Sequence, residues 1–240
     1  MIAPATQVGV LALQGDFEAH ARALERAGAC AREIRRPEEL AEVDGLVLPG
    51  GETTTMVKLL RETGLWDAVA AAPEAGQPVF GTCAGLILLA REVTGPEQPS
   101  LDLLPVTVRR NAYGRQVDSF VEPGEVHVPA DLASGWNGGA GAQRESGAPA
   151  DPARAAHPEA GGGLVLPTEF VFIRAPRITA LHGEVDVLAR REGEPVLVRS
   201  GWVLGGSFHP ELTADGIVVR LFLAMIAQAR AERPRGNGGP

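Results

Sequence analysis

A chain of 240 residues, 45% hydrophobic and 22% charged, can build one core that buries roughly 70% of its unfolded surface without disulfide or metal staples. Its 22 basic against 30 acidic residues leave a net charge of −8, which argues against a nucleic-acid or other polyanion partner. No apolar run approaches the roughly 20 residues of a bilayer span, Met1–Gly9 lacks a basic segment followed by an apolar one, and Cys30 and Cys83 are too few for a disulfide framework, so a soluble cytoplasmic protein with no membrane partner is expected.

In chain order, Gln7–Gln14 is a nearly continuous apolar run ending at Gly15, the pattern of a strand buried on both faces. Asp16 is the expected N-cap of a helix with apolar positions Phe17, Ala21, Leu24 and Ala27, stopped by Gly28. A second strand is expected at Cys30–Ile34, a short helix from Pro37, and a third strand at Asp44–Leu48 closed by Pro49-Gly50-Gly51. Helices over about Thr54–Glu62 and Leu65–Ala72, a strand at Pro78–Gly81 and a helix at Ala84–Glu92 complete an alternating half. Such alternation implies right-handed crossovers, hence an α/β fold with an open, mostly parallel sheet and helices on both faces.

After Leu104 the pattern becomes strand-rich: Pro105–Arg109, Gln116–Val121, Thr168–Arg174, Val185–Arg190 and Pro195–Ser200, the last two joined by a short turn at Glu192-Gly193-Glu194. Trp202–Phe208 reads as a final strand and Leu212–Arg230 as a closing helix. Between Ala130 and Gly163 lie 34 residues of which 21 are Gly, Ala or Pro, a composition that gains little from packing. We therefore expect one domain over residues 1–233 with a flexible insertion at 130–163, a lid being the alternative reading of that segment, and a disordered tail at 234–240.

The single lysine, Lys58, follows Val57 rather than glycine and lies on an expected exposed helix face, which excludes a phosphate-binding P-loop and makes Schiff-base chemistry improbable. Gly81-Thr82-Cys83-Ala84-Gly85, between a buried strand and an apolar helix, is the nucleophile-elbow pattern with cysteine in the serine position. A residue on so sharp a turn crowds its neighbours, so small residues are needed on both sides. The helix N-terminus favours thiolate, and the Ala84 N–H faces a developing oxyanion. The alternative, a small buried apolar side chain, is the expectation for Cys30, which lacks flanking glycines.

Such a nucleophile needs a base held by a third group. Of the five histidines, His127 borders and His157 lies within the Gly/Ala-rich stretch, His182 precedes Gly183 in a turn, and His20 reads as a surface or capping-side helical residue. His209 belongs to Phe208-His209-Pro210-Glu211 at a strand end. The residue before proline is held extended, and on an extended segment Glu211 would point the same way as His209 and fix its tautomer. Pro49–Thr55 supplies two glycines where N–H groups can receive an anion, although a tight turn capped by threonine has the same sequence. All three motifs fall at the carboxyl edge of the sheet, where open α/β folds bind ligands.

Together these residues resemble a class I, triad-type glutamine amidotransferase domain of flavodoxin-like fold. Within that group they are similar to the family of glutaminase subunits of pyridoxal 5′-phosphate synthase. The resemblance is carried by VLALQG (Val10–Gly15), PGGETT (Pro49–Thr54), GTCAG (Gly81–Gly85), RNAYGRQ (Arg110–Gln116), FIRAP (Phe172–Pro176) and SFHPEL (Ser207–Leu212). It implies Cys83 as nucleophile, His209 as general base and acid, and Glu211 as its orienting partner. It also implies oxyanion donors at Gly51 and Ala84, and glutamine contacts from Gly51, Glu52, Thr53, Arg110, Ile173 and Arg174, with no cofactor and no metal. Thr53 stands where the family usually has serine.

The implied partner is the synthase (cyclase) subunit in a hetero-oligomer, which completes the oxyanion hole and consumes ammonia that water would otherwise protonate. Two other readings share the fold: a glutaminase serving a different acceptor enzyme, and a non-catalytic regulatory subunit.

Overall fold

The computed structural model describes residues 5–110, 119–133, 157–158 and 163–233. Gln7–Leu11 (β1) is buried from Val8 onward, as its apolar run requires when helices cover both faces of a sheet. Phe17–Arg26 (α1) returns the chain to Cys30–Ile34 (β2), and a 3-10 turn at Pro37–Glu42 leads to Gly45–Leu48 (β3). Thr53–Glu62 (α2) and Leu65–Ala71 (α3) precede Val79–Thr82 (β4) and Ala84–Leu89 (α4). The second half contains Ala90–Thr94 (β5), Leu104–Arg109 (β6), Phe120–Val128 (β7), Ala130–Ala133 (α5), His157–Pro158 (β8), Leu164–Phe172 (β9) and Arg177–Leu181 (β10). Asp186–Arg191 (β11), Glu194–Ser200 (β12), Val203–Gly206 (β13) and Ile217–Glu232 (α6) complete it.

The principal sheet has seven strands in the order β11-β12-β13-β4-β3-β1-β2. From β13 to β2 every neighbouring pair is parallel, and β11 and β12 extend it as antiparallel strands. Side chains alternate across it. Val8, Val10, Phe80 and Leu204 pack with Leu24 of α1 and Phe222 and Met225 of α6, while Leu46, Leu48 and Val79 pack with Met56, Leu60 and Leu86 on the opposite face. Two three-stranded sheets, β10-β6-β5 and β7-β9-β8, flank it. The carboxyl ends of β1, β3, β4 and β13 thus open on one edge.

Several expectations are corrected. The helix expected over Ala84–Glu92 stops at Leu89, because Ala90–Thr94 pairs in parallel with β6. The strand expected at Gln116–Val121 is represented by β7, which runs to Val128 in continuous register with β9 from Phe120↔Phe172 to Val128↔Leu164; residues 111–118 lie outside those described. β10 was not expected, although Arg177–Leu181 pairs antiparallel with β6. The closing helix begins at Ile217, not Leu212, since Pro210–Leu212 is a 3-10 turn and left-handed Gly216 (φ 61°) sets the entry, where the Ile217 N–H donates to Asp215 Oδ1 at 2.9 Å.

Asp16 occupies the N-cap of α1 but its side chain makes no capping bond. Cys30 is exposed, not buried, because β2 is the edge strand of the sheet. The tail at 234–240, and most of the 130–163 segment beyond α5, lie outside the described residues. Among the described residues, no helix is long and apolar enough to cross a membrane.

Candidate active site

The elbow is formed where β4, buried along its length, runs straight into α4. Cys83 takes φ 49° and ψ −101° at that junction, a conformation disfavoured for a residue with a side chain. Its backbone is held on both sides: the Cys83 N–H donates to Gly206 O at 2.9 Å, and Cys83 O accepts the Ile87 N–H at 3.2 Å. The flanking glycines are sterically required. A Cβ on Gly81 would lie 2.5 Å from the carbonyl carbon of Gly85, and one on Gly85 would lie 2.0 Å from Leu48 O. Cys83 remains half-buried, with its thiol directed to Ile173 O at 3.9 Å.

The candidate base, His209, follows the end of β13. The His209 N–H donates to Val171 O of β9 at 2.8 Å, and Pro210 follows. His209 Nδ1 lies 2.7 Å from Glu211 Oε1, the contact expected from sequence, but reached differently. Pro210–Leu212 forms a 3-10 turn instead of continuing extended, and the turn brings the carboxylate back to the imidazole. A Cβ on Gly50 would lie 2.7 Å from His209 Cε1 and 3.6 Å from Cys83 Cβ, so the glycine motif, the elbow and the histidine motif meet at one point.

The electrostatics suit proton transfer. Burial alone would lower the His209 pKa, but hydrogen bonding with Cys83 and Glu211 and the charges of both raise it to about 10. His209 Nε2 is buried and has no partner among the described residues besides the Cys83 sulfur, which leaves it where a proton can pass to a reacting atom. Burial pushes the Glu211 carboxyl up, yet the His20 imidazole beside it and the hydrogen bond and charge of His209 hold it below its usual range.

The other expected residues divide. The Glu52 N–H donates to Gln14 Oε1 at 2.7 Å and Gly50 O accepts the Asp16 N–H at 3.2 Å, so the turn after β1 grips the Gly50-Gly51 loop. Gly15 permits that approach, since a Cβ there would fall 2.0 Å from Gly50 O. Ala84 is the first residue of α4, directly behind the sulfur. Thr53 is buried and its hydroxyl donates to Gln98 Oε1 at 2.8 Å. Arg110, largely covered, brings its guanidinium within 3.9 Å of the Glu52 carboxylate. Ile173 reaches Cys83 through its carbonyl, and Arg174 follows with a left-handed φ of 47° and an exposed side chain. Residues 111–116 of the RNAYGRQ motif lie outside those described.

His20, expected on the surface, is instead only 2% exposed and lies 3.3 Å from Glu211 Oε2. Burial, the largest influence, lowers its pKa, so it is neutral where His209 is charged. The signal was its spacing: His20, Leu24 and Ala27 share one helical face. Among the described residues, no cluster of three His, Cys, Asp or Glu side chains is arranged to hold a metal ion.

A model of the SNO glutamine amidotransferase family matches residues 10–129 and 163–228 and passes over 130–162. Pyridoxal 5′-phosphate synthase subunit PdxT of Koribacter versatilis is 43% identical over 220 residues, covering 92% of this chain and 95% of that protein. The protein of the same name from Acidothermus cellulolyticus is 47% identical over 232 residues, covering 93% and 96% respectively. A crystal structure described as a glutamine amidotransferase superposes with a TM-score of 0.72 at 44% identity, covering 92% of this chain and 98% of that one. The chain belongs to the SNO glutamine amidotransferase family.

Proposed function

We propose that the chain hydrolyses L-glutamine to L-glutamate and ammonia through a Cys83 thioester, and passes the ammonia to a pyridoxal 5′-phosphate synthase partner for vitamin B6 biosynthesis. The supporting observation is the convergence of the His209–Glu211 pair and the Cys83 elbow on the Gly50 loop. Residues 1–233 act as one glutaminase domain, with 130–163 inserted into it.

Glutamine is a zwitterion with an amide tail. Arg110 takes its carboxylate and neighbouring Glu52 its ammonium, while Gly51, Thr53, Ile173 and Arg174 line the remaining wall. The Cys83 thiol gives its proton to His209, the sulfur attacks the side-chain amide carbon, and the N–H groups of Gly51 and Ala84 stabilise the oxyanion. The His209 imidazolium gives its proton to the amide nitrogen, the C–N bond breaks and ammonia leaves. His209, now neutral, takes a proton from water. The resulting hydroxide attacks the thioester, and glutamate leaves as the Cys83 sulfur is restored. Glu211 stabilises the imidazolium each time it forms.

The mechanism needs a free thiol, which a reducing cytoplasm preserves. Ammonia escapes into water unless an acceptor is adjacent, and the relatives named as synthase subunits support a hetero-oligomer with the synthase subunit as that acceptor. The test is glutamate release with the synthase subunit present. The wild-type chain is expected to turn over and Cys83→Ala to be inert; equal rates, or no labelling of Cys83 by an electrophilic glutamine analogue in the assembled complex, would remove the catalytic reading.

A further inference from the structure

Only one oxygen of the Glu211 carboxylate is used by His209. The other, Oε2, is buried without a conventional hydrogen bond among the described residues, and lies 3.3 Å from His20 Nε2. The same nitrogen is 3.0 Å from the hydroxyl of Thr82, the residue immediately before the nucleophile. From the end of the same helix, Arg26 donates an Nη2–H to the main-chain carbonyl of Glu211 at 3.3 Å. Helix α1 therefore touches Glu211 at its side chain and its backbone, and touches the elbow strand.

We propose that His20 is a positioning residue for glutamine hydrolysis: its Nε2–H orients the Glu211 carboxylate, keeps it ionised, and ties it to the elbow through Thr82. The proposal rests on the triad reading above.

The tautomer follows from the neighbours. A bare Nε2 would set a lone pair against a carboxylate oxygen at 3.3 Å, so the proton belongs on Nε2, where it is donated to Thr82 Oγ1 and turns the positive end of the N–H dipole toward Glu211 Oε2 alongside. Thr82 gives independent support. It is fully buried in β4, where a valine would fit, and a hydroxyl is tolerated there only with a partner. The titratable groups acting on His20 are Glu211 and His209 from the 3-10 segment and Asp16 from the start of its own helix, while β4 presents only Thr82. Because burial keeps His20 neutral, it contributes an N–H dipole rather than a second cation. One imidazole thus exchanges protons with substrate while the other stays fixed behind the carboxylate.

The experiment compares His20→Leu, which removes the donor, with His20→Gln, whose amide reaches the Nε2 position, in the complex with the synthase subunit. Glutamate release in His20→Leu is expected to show a kcat lower by roughly tenfold to a hundredfold with little change in KM, and His20→Gln to recover most of it. The second readout is Cys83 alkylation by iodoacetamide against pH, which needs no glutamine turnover. Its acid limb is expected to move up by about one pH unit in His20→Leu and to return in His20→Gln.

Should His20→Leu fail to fold, His20→Asn replaces it: a polar residue too short to reach Oε2, and expected to behave as the leucine variant. Wild-type kcat and an unmoved alkylation limb in the donor-less variant would overturn the proposal, as would equal impairment in both variants with the limb unmoved. If instead the wild-type complex and Cys83→Ala release glutamate equally, the glutaminase reading fails, and the alkylation profile still decides the role of His20.

Discussion

Gly85→Ala separates the geometry of the elbow from the mere presence of its cysteine. The added Cβ would lie 2.0 Å from Leu48 O, 2.8 Å from Leu48 C and 3.0 Å from Leu48 Cβ. Ordinary contact begins at 3.4 Å, so the gap must open by 3.4 − 2.0 = 1.4 Å. No side chain can swing aside to provide it, because the obstructing atom is main-chain oxygen at the end of β3, a strand hydrogen-bonded to β1 on one side and β4 on the other. Either α4 withdraws, carrying Cys83 and the Ala84 N–H, or the end of β3 shifts with the Gly50-Gly51 loop attached. Both movements separate the sulfur from the second proposed oxyanion donor, at Gly51.

Misplacement by about 1 Å lowers rates about a hundredfold. Overpacking of this kind destabilises by about 1–3 kcal/mol, or about 2–12 °C in Tm at this chain length. The assays are glutamate release with the synthase subunit and a thermal melt. Gly28→Ala is the control: φ is +89° and an added Cβ would meet nothing within 4 Å, so it carries backbone strain of about 1 kcal/mol without a clash and should keep its rate. A Gly85→Ala protein with wild-type Tm and wild-type turnover, or a Gly28→Ala protein equally inactive, would refute the reasoning.

Glu211→Gln keeps the shape that accepts from His209 Nδ1 but removes the charge, and kcat should fall by about 10²–10⁴-fold with little change in KM; undiminished turnover would take the carboxylate out of the mechanism. Stability should decline at both ends of the pH range. Glu211, lowered from 4.5 in the folded protein, contributes above 4.5 and loses that contribution as pH falls, whereas His209, raised from 6.5 to about 10, contributes fully below 6.5 and loses it as pH rises through about 10. Denaturant titrations from pH 4 to 10.5 check this, and stability that rises between pH 8 and 10.5 would contradict it. Thr53→Val removes the donor to Gln98 Oε1 beside Gln98 Nε2, which has no hydrogen-bond partner among the described residues, and should destabilise by about 1–3 kcal/mol in a melt, while Thr53→Ser should be neutral.

The parallel half of the fold was readable because β1, β3 and β4 are buried on both faces and glycines punctuate the loops around α1 and α2. In β1, β3 and β4 an apolar run is the direct consequence of two helical layers, and it shows in any window of the sequence. The strand-rich half lacks that signal. Ala90–Thr94 carries on from Leu86–Leu89 without a breaker, and only the partner strand β6 decides where helix gives way to strand. Leu212 likewise looks helical in isolation. The left-handed Gly216 and the Asp215 side chain, which takes the Ile217 N–H, reset the start of α6.

The residues proposed as catalytic were legible for a different reason: each is framed by a backbone requirement that restricts composition. Cys83 is announced by two glycines that a Cβ would drive into Gly85 or Leu48, and His209 by the proline that follows it. His20 has no such frame. It occupies an ordinary helical position, and its burial depends on the 3-10 turn bringing Glu211 beneath α1, a contact between residues 191 positions apart (211 − 20) that no local window contains. A polar residue on the stripe shared by Leu24 and Ala27 was the available sign, because an imidazole on a buried face must have a partner. Backbone constraint therefore exposes the residues proposed to react, whereas the residues packed behind them are visible only once the chain has folded.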